Sequence, residues 1–136
     1  MAGIEELKTA LIEFNNEFLG PSLKPFEPSE LYDIDRDWPK QWPNADSPGV
    51  YFFLSSELDV LWIGKASNKN LIGSRIGTFL SADSKKPWRR ENDPIPEAQY
   101  IASIPIPKEH AFMAPALKEF LITRLQPSRN KIGTGN

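Results

Sequence analysis

The chain has no cysteine, so disulfide staples and thiolate metal sites are excluded. It has a single histidine, His110, which excludes a multi-histidine metal cluster within the chain. No apolar run approaches the roughly 18 residues that a bilayer span requires, so no membrane partner is expected. The opening "MAGIEELK" is acidic and polar and lacks the pattern of a secretory leader. Together these features point to a soluble protein of the reducing cytoplasm.

What remains is 136 residues, 40% of them apolar, which is enough for one domain with a real core. The formal net charge of −2 hides an asymmetry. Residues 1–48 carry four basic and ten acidic side chains, a net of −6, and residues 49–136 carry twelve and eight, a net of +4. A polyanion is attracted to the second part and repelled by the first.

In "GIEELKTALIEFNNEFLG", Ile4, Leu7, Leu11, Phe14 and Phe18 recur at helical spacing and form one apolar stripe, which Gly20 and Pro21 end. Residues 21–48 hold six prolines, which preclude regular structure, but also Trp38 and Trp42, which are costly to leave wet. This composition predicts an irregular acidic arm packed on the domain, with residues 49–136 forming the functional unit. "GVYFFL" and "VLWIG" read as two strands of a hairpin, apolar on both faces and therefore central. "NLIGSRIGTFLSA" reads as a short helix, "AQYIASIPI" as a third strand at a sheet edge, and "APALKEFLITRLQ" as the last helix, closed by Pro127. The expected fold class is α/β: a three-stranded antiparallel sheet flanked by helices, with an added N-terminal helix and proline-rich arm.

The second strand of the hairpin stops at Gly64 and Lys65. A glycine there lets backbone or ligand come close, and Lys65 sets an ammonium beside that approach. With Tyr51 on the neighbouring strand and Arg75 on the following helix, the pattern suits a phosphate: arginine offers a planar fork and lysine a point charge. "KKPWRR", residues 85–90, places Lys85, Lys86, Arg89 and Arg90 around Trp88. Such a loop can grip backbone phosphates while the indole stacks on a base, although a solvated basic loop has the same composition.

"GVY" at 49–51, "WIGKA" at 62–66, "SRIGTFL" at 74–80 and "LITRLQPSRN" at 121–130 resemble, in the family's order, the GIY-YIG endonucleases. The likeness is nearest the catalytic module of the nuclease subunit of bacterial excision repair. The resemblance implies a divalent-metal-dependent endonuclease acting on phosphodiesters in DNA, with RNA as the other polymer and a protein partner for targeting. It assigns Tyr51 as general base or water-positioning group, Lys65 and Arg75 to the scissile phosphate, Trp62 and Gly64 to the substrate side, and Asn130 to ordering the site. It also implies one Mg²⁺ or Mn²⁺ ion held by a helical glutamate. That glutamate's place, three residues before Leu121, is taken by Lys118, and Glu119 stands next to it. One step along a helix turns a side chain by about 100°. Either Glu119 reaches the metal through local rotation, or Lys118 takes the position and the domain binds nucleic acid or a protein without turnover. His110 is a further, weaker candidate.

Overall fold

Val50, Phe52 and Leu54 face one side of the second strand and Tyr51 and Phe53 the other, and all five are buried. A strand apolar on both faces is expected inside a sheet, and this one, β2 (Gly49–Leu54), lies there. The computed structural model describes residues 2–38, 40–80 and 95–130. Within them the order is α1 (Ile4–Phe18), β1 (Tyr32–Asp33), β2, β3 (Val60–Ala66), α2 (Ile72–Ile76), β4 (Tyr100–Pro105), a 3-10 turn (Lys108–His110) and α3 (Met113–Leu125). The sheet runs β1-β4-β2-β3, and every neighbouring pair is antiparallel.

The protein is thus mixed α/β, but its sheet has four strands rather than the three expected. The fourth comes from the proline-rich arm, which prolines were expected to keep irregular. Tyr32 and Asp33 lie between the prolines and pair with Ile101 and Tyr100. Beside them the Ser29 N–H donates to the Ser103 carbonyl at 2.7 Å, and the Ser103 N–H donates to Ser29 Oγ at 2.9 Å. The arm therefore covers β4, which is internal and not an edge. The exposed margin falls instead on β3, expected to be central.

That margin is closed by side chain and tail rather than by another strand. The Ile63 N–H donates to Asn130 Oδ1 at 2.7 Å, and Asn130 Nδ2 donates back to the Ile63 carbonyl at 3.0 Å. The Arg129 N–H donates to the Leu61 carbonyl at 2.9 Å. An asparagine amide has the donor and acceptor of a peptide group, so it can stand in for a strand partner.

Two apolar layers sandwich the sheet. On one face, Leu7, Leu11 and Phe14 of α1 and Leu117, Leu121 and Leu125 of α3 pack on Val50, Phe52 and Ile63. On the other, Ile72 and Ile76 of α2 join Tyr51, Phe53, Ile101 and the arm residues Tyr32 and Ile34. The arm also passes over α1, where Asn15 holds both backbone groups of Phe26. It then feeds α2: the Ile72 N–H donates to the Ser47 carbonyl at 2.8 Å and the Gly73 N–H to the Ala45 carbonyl at 2.9 Å. Helix starts leave such donors unpaired, so the arm supplies what the five-residue α2 lacks. Replacing Asn130 by alanine leaves two buried backbone groups of β3 unpaired, at roughly 1–3 kcal/mol each. Chemical denaturation of Asn130→Ala should show a loss of about 2–4 kcal/mol. An unchanged midpoint would mean that water replaces the amide freely.

Candidate phosphate-binding site

Tyr51 and Gly64 are directly paired across β2 and β3. Paired residues in an antiparallel ladder present their side chains on the same face. Tyr51 has a ring to place there, and Gly64 has nothing. A Cβ on Gly64 would lie 2.2 Å from Tyr51 Cζ and 2.3 Å from its hydroxyl oxygen. The tyrosine ring therefore lies across the β3 backbone, over Gly64, and its hydroxyl is delivered to the β3 margin. It is fixed from behind by an aromatic group. Phe53 and Phe79 sit 6.0 and 6.3 Å from the Tyr51 ring centroid, and Trp62 packs 5.5 Å from Phe79. Only 1% of Tyr51 is exposed.

Three cations lie along this margin on different elements, and of these Arg75 is the one that acts on the Tyr51 hydroxyl. Arg75, exposed in the last turn of α2, brings its guanidinium to the Tyr51 hydroxyl. Lys65, half-buried on β3, is paired with Val50, so its side chain starts on the α3 face of the sheet. Its ammonium donates to Ser67 Oγ at 3.3 Å. Lys118, on α3, is buried with 8% exposed, and both Lys65 and Arg75 act on its charge. The site thus straddles the margin of β3. Tyr51, Trp62 and Arg75 come from the α2 side, and Lys65 and Lys118 from the α3 side. Among the described residues, no carboxylate pairs with Lys65, Arg75 or Lys118; the ion pairs there are Glu5–Lys8, Glu13–Arg124 and Glu97–Arg129.

Burial pushes the Tyr51 hydroxyl above the usual phenol range, and the Trp62 indole and Arg75 guanidinium oppose that only in part. The group therefore keeps its proton at neutral pH and serves as a hydrogen-bond donor. The Trp62 N–H approaches that hydroxyl but completes no bond of ordinary geometry and is buried without a partner. Lys118 is pushed the other way. Burial lowers its proton affinity first, and repulsion from Lys65 and Arg75 lowers it further. A partly desolvated ammonium repelled by two like charges is costly, and an arriving anion would relieve that cost.

The donor set does not fit the divalent metal that the family resemblance implies. Magnesium and manganese take oxygen ligands, carboxylates foremost. The side chain on α3 that enters the cluster is Lys118, a cation. Glu119 lies exposed, and the groups that act on Tyr51 and Lys118 are Trp62, Lys65 and Arg75 rather than Glu119. No group of three or more Asp, Glu, His or Cys side chains suited to a metal exists among the described residues.

The other sequence candidates fall elsewhere. Asn130 pins the β3 margin beside the site without entering the cluster. His110 sits in the 3-10 turn against Phe112, its Nδ1 buried and unpartnered. Lys85, Lys86, Trp88, Arg89 and Arg90 lie outside the described residues. A groove of about 850 Å³ runs between Ser22–Ser29 of the arm and Pro105–Lys108, and Lys65, Arg75 and Lys118 do not line it. Sequence reasoning missed the arm's part in the site, because Ser47 and Ala45 act through backbone carbonyls that any residue carries. No helix of the described residues is long and apolar enough to cross a membrane. No family model, curated protein or solved structure matches the chain.

Two substitutions test this geometry. Gly64→Ala forces the Tyr51 ring against Phe53 and Phe79 and should lower stability by about 1–3 kcal/mol, the usual cost of overpacking. A parent-like unfolding curve would show that the ring does not lie over Gly64. Lys118→Met removes a cation whose folded proton affinity is depressed below its ordinary value of 10.5. Between the depressed value and 10.5 the unfolded chain binds more protons than the folded one, so parent stability rises with pH across that window. Lys118→Met should therefore melt higher than the parent at neutral pH, with the gap closing as pH climbs toward that window. A gap that widens with pH would contradict the assignment.

Proposed function

We propose that the chain is a GIY-YIG-type domain that binds a backbone phosphate of nucleic acid, DNA first, at the cluster of Tyr51, Lys65, Arg75 and Lys118. The observation that carries this reading is that Arg75 acts both on the protonated Tyr51 hydroxyl and on Lys118, that Lys65 also acts on Lys118, and that no carboxylate among the described residues pairs with any of the three cations. A phosphodiester supplies the missing charge and accepts from all four donors. Arg75 offers the bidentate fork, Lys65 and Lys118 the point charges, and Tyr51 a directed O–H. Three of the four sequence segments that resemble the family supply Tyr51, Lys65 and Arg75, and Lys118 lies outside all four. The excess of positive charge in residues 49–136 favours the same polyanion.

Cleavage is the second reading, and one observation favours it. Arg75 and Trp62 both favour the Tyr51 anion against its burial, as a group that must share its proton requires. Hydrolysis through a bound divalent ion is harder to support, because the cluster offers it no carboxylate.

Binding to a fluorescent oligonucleotide should weaken steeply with salt, and Arg75→Ala should cost roughly tenfold in affinity, as loss of a charge-assisted hydrogen bond does. Retained affinity in Arg75→Ala and Lys65→Ala would remove the site assignment. Branched, nicked and plain DNA incubated with magnesium should remain intact. Products that vanish in Tyr51→Phe would establish the second reading over the first.

A further inference from the structure

We infer that Lys118 is itself a phosphate ligand, and that the cluster engages its anion through organic cations alone, without a divalent ion. The inference rests on the phosphate reading of this site and names what stands at its centre. Lys118 is more than nine-tenths buried, yet it has no hydrogen-bond or ion-pair partner among the described residues. It sits on α3, whose neighbours Leu117 and Leu121 are core, so the backbone that carries it is fixed. Lys65, from the same face of the sheet, and Arg75, from across the β3 margin, both repel its charge. A lysine left among like charges in a folded protein is normally removed by selection for stability, unless something negative binds there.

The chemistry follows from what an ammonium can do. It donates up to three hydrogen bonds and carries one positive charge, so it can neutralise a non-bridging phosphate oxygen directly. A magnesium ion performs that neutralisation in many phosphate sites, but it needs carboxylate or water oxygens to hold it. Lysine brings the charge on the chain itself. The ligand is therefore a phosphate mono- or diester taken up without metal, and both free phosphate and a nucleic-acid backbone present that chemistry.

The test uses the full chain and two probes at constant ionic strength. The first is a fluorescent oligonucleotide, followed by anisotropy in EDTA and in magnesium. The second is inorganic phosphate in EDTA, followed by thermal unfolding. The parent should bind the oligonucleotide within about twofold in the two conditions. Lys118→Met should weaken binding roughly tenfold and lower the salt slope by about one, as loss of one phosphate contact does. Lys118→Arg should keep most of the affinity. Unfolding of the phosphate-free variants reports that they are folded. If the parent binds only with magnesium, or if Lys118→Met matches the parent in affinity and slope, the inference is overturned. If no oligonucleotide binds but phosphate in EDTA stabilises the parent and not Lys118→Met, Lys118 stands as the ligand and the nucleic-acid reading fails. If neither probe binds the parent, both fall.

Discussion

The site depends on a missing methyl group. Because Gly64 has no Cβ, the Tyr51 ring can lie flat across β3 and carry its hydroxyl from the interior of the sheet to the margin. Any other residue at position 64 meets the ring at less than van der Waals distance, while Phe53 and Phe79 block retreat. The glycine answers a local steric demand, and that demand places the hydroxyl of an aromatic cluster where Arg75 can reach it. Packing and chemistry are here the same constraint.

The margin itself is built by distant parts of the chain. Asn130 and Arg129 satisfy the outer backbone groups of β3, and the arm satisfies the first donors of α2. The arm also supplies β1 and seals β4. Arg75 is held in place by residues nearly thirty positions upstream, and Tyr51 by a β3 segment pinned from the C-terminal side. Residues 2–48 thus share the core of the later segment and support its site, and do not simply lie over it.

Much of this was legible from residue patterns. The apolar stripe of α1, the hairpin of β2 and β3 and the end of α3 before Pro127 follow from periodicity and punctuation, and the structure has them. The fourth strand was not legible, because two residues between prolines carry no strand signal and pair only through β4. Edge and centre were exchanged for a related reason. Prolines flanking β4 suggest an edge, but an edge can be covered by an arm, and an apolar strand such as β3 can be a margin when an asparagine replaces its partner. Tyr51, Lys65 and Arg75 were visible as residue types, and Gly64 as a puzzle. Their grouping beside the sheet was expected from the sequence, but not that the pleat sends Lys65 and Tyr51 to opposite faces.

Lys118 holds a physical conflict among the described residues. Its burial and its neighbours both disfavour its charge. In a structural role that is pure cost, and in an anion site it is stored attraction. The most direct measurement is a lysine-selective NMR titration of the Lys118 ammonium, with and without added phosphate in EDTA. The account predicts a midpoint below 10.5 in the free protein, moving upward when phosphate binds beside it. An ordinary midpoint that phosphate leaves unmoved would contradict it.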